Sequence, residues 1–184
     1  GDRIAAAREL PVFGNTELPD WEAQLLGMMI SEGQCDTQGH SPTFTPSDPV
    51  MLNLLHQCVQ EGLNAEVSHN GALGYRIVNR KGRGGVMVGN SNRAALWLKS
   101  HGLAVKADFK FVPPAVVTAP KESVRLFLRA LFTGDGSIQQ SGASVVFEYY
   151  SNSERLIQDV HHLLLRFGIL SCIREKVTWT AKKA

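Results

Sequence analysis

The sequence predicts an α+β fold assembled from two repeats of one pattern, the second of them incomplete. Three observations predict it. The order helix, strands, helix closed by glycine, strand runs through the chain twice. Each pass opens with an apolar helix that ends in an acid followed by glycine: Glu32–Gly33 in "LLGMMISEG" and Asp135–Gly136 in "LRALFTGDG". The distance from acid to the next helix-closing glycine also agrees, 30 residues from Glu32 to Gly62 and 33 from Asp135 to Gly168. A period of roughly one hundred residues is too long for a solenoid and fits two pseudo-equivalent halves.

The elements follow in order. Residues 1–18 predict an extended arm, since "ELPVFGNTELPD" (9–20) carries prolines and a glycine. "DWEAQLLGMMIS" predicts a helix with Asp20 as N-cap and Glu22 in its first turn. "SPTFTPS" alternates like a short strand, and its prolines predict an edge position. "SDPVMLNLLHQCVQEGL" predicts a helix capped by Ser47 or Asp48, with Pro49 in the first turn and Gly62 as the stop. "NAEVSH" and "GYRIVNR" predict a hairpin joined by "NGALG". "SNRAALWLKSHGL" predicts a helix capped by Ser91 or Asn92 and ended by Gly102, completing a first repeat over 19–104. After a proline-bearing linker, 105–120, the second repeat occupies 121–184. It opens with the helix of "KESVRLFLRALFTGDG", then a strand pair in "SIQQSGASVVFEYYS", a helix in "NSERLIQDVHHLLLRFGI" and a strand in "LSCIREKVTW". Counterparts of "GYRIVNR" and of a last helix like "SNRAALWLKSHG" are expected to be lacking there.

Composition narrows the function. No apolar run is long enough to cross a bilayer, and "GDRIAAAREL" has no signal-peptide core, so no membrane role is expected. Cys35, Cys58 and Cys172 are far apart and form no CxxC pair, which argues against a zinc or disulfide framework and for a reducing, cytoplasmic setting. The formal net charge of +2 is unevenly spread. Between Glu17 and Glu66 stand eight acids and no Lys or Arg, whereas between Gly71 and Lys110 stand eight bases and one acid, Asp108. Such a basic stripe suits a polyanion, whose neutralised phosphates release counterions. Arg76 and Arg80, an even number apart on a predicted strand, share one face, and arginine reads guanine by bidentate contacts. Lys81 and Arg83 extend the basic hairpin end. The glycines of "NRKGRGGVMVGNSN" have no strand–GxxxxGK[ST]–helix context and do not predict a nucleotide site. His161 and His162 point about 100° apart on a helix and are expected to pack, not to chelate. Phe147, Tyr149 and Tyr150 are expected on a strand's apolar side.

The two acids carry the functional argument. Gly27 and Ser31 stand four apart, as do Ala130 and Gly134, so each motif helix presents a strip of small side chains. Such strips let two backbones approach within the usual helix spacing of about 8–10 Å. Helices packed by these strips bring Glu32 and Asp135 together at their C-terminal ends. An acid there opposes the helix dipole at about 0.3–1 kcal/mol, and two neighbouring carboxylates repel. A divalent cation is the partner expected to offset that cost. Mg²⁺ prefers one or two carboxylates plus waters and phosphate oxygens, and it polarises a phosphate at the same point.

At these residues a family resemblance emerges. "LLGMMISEG" and "LRALFTGDG" resemble the paired LAGLIDADG motifs of homing endonucleases, and "FLRALFTGDGSI" is especially similar to the second motif of intein-borne members. "GDRIAAARELPVFG" resembles the junction from an intein's N-terminal splicing half into its endonuclease, and "HGLAVKADFKFVPPAV" resembles the segment before the second motif. The resemblance implies two αββαββα-type repeats in a monomer with an internal pseudo-two-fold, and metal-dependent cleavage of double-stranded DNA at a long site where the intein inserts, leaving short staggered ends. It implies Glu32 and Asp135 as metal-binding catalytic acids, with Gly33 and Gly136 beside them at the metal, and Gly27, Ser31, Ala130 and Gly134 as motif-helix packing residues. Mg²⁺ is the implied cofactor, with Mn²⁺ or Ca²⁺ substituting for binding. Lys110 in "KFVPP" matches the lysine that assists near the metal, and Lys176 in "REKV" is its candidate counterpart. Arg174 joins the DNA-contacting basic residues, and association with the nucleoid would follow. The first motif carries Glu where Asp is usual, and Ile30 and Thr133 stand where the motif's earlier Asp would be. No splicing-type N-terminal Cys or Ser and no C-terminal His-Asn pair is present, so self-splicing is not expected. The alternative is a degenerate, non-cleaving DNA-binding or RNA-maturase-like protein on the same fold.

Overall fold

The computed structural model describes residues 8–35, 40–71, 74–80, 91–142 and 144–176. They form α1 (Asp20–Ser31), β1 (Gly33–Gln34), β2 (Thr43–Phe44), α2 (Pro49–Leu63), β3 (Ala65–His69), β4 (Tyr75–Asn79), α3 (Arg93–Ser100), a 3-10 turn (Ala107–Phe109), α4 (Pro114–Val117), α5 (Lys121–Asp135), β5 (Gly136–Ser141), β6 (Ser144–Tyr149) and α6 (Glu154–Arg166). The chain is α+β. One antiparallel sheet has the order β1-β2-β4-β3, and a second contains β5 and β6. The order helix, two paired strands, helix occurs in α1-β1-β2-α2 and again in α5-β5-β6-α6.

Local chemistry explains most boundaries and corrects several expectations. Asp20 is the first residue of α1 and not its cap. Pro19 precedes the helix, and Asp20 and Glu22 place negative charge in the first turn, where the dipole favours it. Asp48 caps α2 by accepting from the Met51 N–H at 2.7 Å, with Pro49 at the first helical position. Gly62 does not stop α2. The helix runs to Leu63 and ends on Asn64 in the left-handed region, φ 45°. Gly62 serves a different purpose, because a Cβ there would lie 2.1 Å from the Trp21 indole. β2 is an inner strand, bonded to β1 on one side and β4 on the other. Pro42 and Pro46 merely flank it, and the Pro42 carbonyl accepts from the Ile77 N–H at 2.9 Å.

Asn92 caps α3 and Ser153 caps α6. The strand expected in "LSCIREKVTW" is not found. Residues 170–176 form no strand, and Ser171 is tied to His161 of α6 through Oγ and Nδ1 at 2.7 Å; residues 177–179 lie outside the described residues.

The core is one cluster built around α1, which is apolar on nearly every side and correspondingly enclosed. Leu25, Leu26, Met28 and Ile30 are fully buried with Phe127 and Leu131 of α5, Leu55 and Val59 of α2, and Leu156 and Leu163 of α6. Each side chain of that size contributes about 1.5–3 kcal/mol on burial. The described part of the arm is extended and laid on the second half. Gly14 and Thr16 donate backbone bonds to Ala119 and Thr118, both at 3.1 Å, and Phe13 meets Phe167 edge-on at 5.1 Å.

Candidate active site

α1 and α5 pack by their small residues. A Cβ on Gly27 would stand 2.5 Å from the Phe127 carbonyl oxygen and 2.9 Å from the Ala130 Cβ. A Cβ on Gly134 would stand 2.3 Å from the Ser31 Oγ. The Ser31 hydroxyl turns back on its own helix, within bonding range of the Gly27 and Met28 carbonyls at 3.2 and 3.1 Å, so it enters the seam without an unmet bond. Gly27, Ser31, Ala130 and Gly134 therefore lie together in one close helix–helix contact.

The seam sets the positions of the acids. Glu32 is the C-cap of α1 and Asp135 the last residue of α5. Both are partly buried. Burial pushes the Glu32 carboxyl above its ordinary value, the Asp135 charge pushes it further, and the Lys110 charge opposes both. Burial likewise raises the Asp135 carboxyl, against the pull of Lys110. Among the described residues, Lys110 is thus the cation whose charge acts on both acids.

Lys110 lies on the connector before α5, where its charge acts on both acids. Its Nζ donates to the Ile30 carbonyl at 2.6 Å, to Gly33 at 2.9 Å and to Met29 at 3.4 Å. The ammonium therefore caps the negative end of α1. Burial lowers the Lys110 pKa, and the charges of Asp135 and Glu32 hold it up. Its backbone is fixed to α6, since the Ser153 Oγ donates to the Lys110 carbonyl at 2.6 Å and the Val112 N–H to Asp159 at 3.0 Å. Sequence reasoning selected this lysine but not its task here. The hydrogen bonds of the ammonium go to backbone carbonyls, one of them the Gly33 oxygen.

Other site candidates are placed elsewhere. Lys176 lies over the Tyr150 ring at 5.5 Å and is not among the charges acting on either acid. Gly136 opens β5 opposite Tyr149, and a Cβ on it would come 2.3 Å from the Phe132 carbonyl. Arg76 lies on β4 and donates to Asn70 Oδ1 at 2.7 Å. Arg80 follows β4 and pairs with Glu66 at 3.5 Å across exposed surface. Arg174 is exposed on the segment after α6. Lys81 and Arg83 lie outside the described residues.

Sequence reasoning missed the neighbours of Arg76. Strand register aligns Gln34, Thr43 and Arg76 in one row across β1, β2 and β4, and with His40 and Ser41 they line a cavity of about 420 Å³. Only the register, which a two-residue strand does not announce, reveals that row.

Among the described residues no three His, Cys, Asp or Glu side chains gather as metal ligands. Two carboxylates from opposite helices suit Mg²⁺, which takes its remaining oxygens from water and phosphate.

The chain is 29% identical over 178 residues to a Replication factor C small subunit of Methanocaldococcus jannaschii, covering 96% of this chain and 9% of that protein. It is 28% identical over 176 residues to the Replicative DNA helicase DnaB of Rhodothermus marinus, covering 92% and 18%. It is 33% identical over 178 residues to a Replication factor C small subunit of Thermococcus kodakarensis, covering 96% and 18%. The chain thus spans less than a fifth of the length of these relatives. Residues 122–184, which begin on the helix ending in Asp135, match the sequence model of the LAGLIDADG-like domain, and this supports the LAGLIDADG family for the chain.

Proposed function

We propose that the chain is a site-specific double-stranded DNA endonuclease borne by an intein, with two pseudo-symmetric halves meeting at the α1–α5 seam. The observation that carries the proposal is the pairing of Glu32 and Asp135 at the ends of two helices packed through glycine, with Lys110 as their counter-charge among the described residues. An isolated acid pair of this kind is a cost to the fold, and a cation with a phosphate diester removes it. Mg²⁺ held by Glu32 and Asp135 would polarise the scissile phosphate and activate water for in-line attack, leaving short staggered ends. Lys110 holds the end of α1 and so fixes the Glu32 backbone. The row Gln34, Thr43 and Arg76 offers donors and acceptors to base edges, and Arg80, Lys81, Arg83 and Arg174 add phosphate contacts. The intein setting is supported by the relatives, since proteins with different names match the same segment while most of their length does not take part. An element inserted into unrelated hosts produces that pattern.

The test is cleavage of a supercoiled plasmid carrying the uninterrupted host sequence, with and without Mg²⁺. The wild type should linearise it only with Mg²⁺, and Glu32→Gln and Asp135→Asn should bind the target without cutting. Cutting at the wild-type rate by either variant refutes the assignment of the acids. A binding protein without cleavage is the second reading, favoured by one observation: Lys110 spends its donors on backbone carbonyls. Retarded migration of the target with no cutting by the wild type in Mg²⁺ would establish it.

A further inference from the structure

Tyr149 carries a hydroxyl that its packing does not explain. The residue sits at the end of β6, directly opposite Gly136, which follows Asp135. Its ring packs on Phe132 of α5 at 5.3 Å between centroids. Its hydroxyl oxygen is buried and, among the described residues, has no hydrogen-bond partner. The same place beside the other acid is filled differently: Gly33, which follows Glu32, is opposite Phe44, 1% exposed. A phenyl ring therefore meets the packing need at this position. The extra oxygen on Tyr149 brings the cost of a buried polar group with no hydrogen bond among the described residues.

Placement indicates which neighbour it addresses: Tyr149 is the cross-strand partner of Gly136, the residue after Asp135, and its ring lies on Phe132, one helical turn before that acid. A buried hydroxyl beside a carboxylate has that carboxylate as its natural acceptor. Hydrogen bonds of this kind orient the acids that hold metals.

We propose that Tyr149 is a positioning residue for Asp135, its hydroxyl donating to that carboxylate when the acid takes a divalent cation. The inference rests on the metal-binding reading of the acid pair and makes the two halves unequal, since Phe44 has no such donor for Glu32.

The test is Tyr149→Phe in the full chain, which keeps the ring. Mn²⁺ affinity is measured calorimetrically with the duplex of the uninterrupted host sequence present, alongside the metal-free melting temperature. The expected result is Mn²⁺ affinity reduced about 10-fold or more, in the range for lost outer-shell partners, with a melting temperature equal to or above the wild type's. Affinity within twofold of the wild type would overturn the proposal, whatever the melting temperature does. A wild type that takes up no Mn²⁺ would instead refute the metal-binding role of the acids, a distinguishable failure.

Discussion

Gly27→Val is the sharpest perturbation of the seam. Its first added carbon would sit 2.5 Å from the Phe127 carbonyl oxygen, about 0.9 Å short of the 3.4 Å at which ordinary contact begins. The obstacle is backbone of α5, which no rotamer change moves. Two effects compete. Replacing glycine within a helix gains roughly 0.5 kcal/mol of propensity, whereas overpacking typically costs about 1–3 kcal/mol and more where backbone must shift. The clash wins. A net loss near 3 kcal/mol lowers the melting temperature by about 6–12 °C for a chain of this size. The helices part by about 1 Å at their active ends, a displacement that costs on the order of 100-fold in catalysis. Thermal denaturation followed by circular dichroism, with plasmid cleavage at a temperature where the variant remains folded, measures both. A variant melting within 2 °C of the wild type would refute the claim that glycine sets the approach of α1 and α5.

The acid pair also predicts an unusual pH response of the metal-free protein. Both carboxyls are raised in the fold, Glu32 and Asp135 alike by burial first. Each contribution is therefore fully present below the ordinary carboxylate range and is lost as pH rises through the folded value. Asp135→Asn and Glu32→Gln should each raise the metal-free melting temperature at pH 7 by up to about 2–4 °C, roughly 1 kcal/mol of relieved dipole opposition. The gain should shrink toward pH 4, and a gain that grew on acidification would contradict the assignment. Lys110→Met should have the opposite sign, because three carbonyls at the end of α1 lose their donor. A loss of about 3 kcal/mol, or 6–12 °C, is expected by scanning calorimetry. An unchanged melting temperature would show that the Lys110 bonds do not hold α1.

Much of this architecture was legible in the chain because it depends on local signals. Apolar helices, Asp48 and Asn92 as caps, and hairpins at glycine turns follow from short-range chemistry, and α1–α5 packing followed from four small residues at helical spacing. The failures are non-local. The prolines around Thr43–Phe44 suggested an edge, yet a two-residue strand between them accepts partners on both sides. Gly62 looked like a stop because the sequence does not show that Trp21 will lie against it. A strand after α6 was expected from the repeated order of elements, but residues 170–176 form no strand. At the site, Lys110 was identified by its sequence setting, while its engagement with the Ile30 and Gly33 carbonyls required the fold. Tyr149 was assigned to packing; its unpaired hydroxyl emerges only from the burial of one atom.

The central claim is that the α1–α5 seam gathers two acids to hold a divalent cation at a DNA phosphate. Anomalous scattering from Mn²⁺ in crystals of the chain with its duplex tests it most directly. The account predicts a Mn²⁺ peak bonded to oxygens of Glu32 or Asp135 and to a backbone phosphate of the duplex. Mn²⁺ bound elsewhere, with both carboxylates bare, would contradict it.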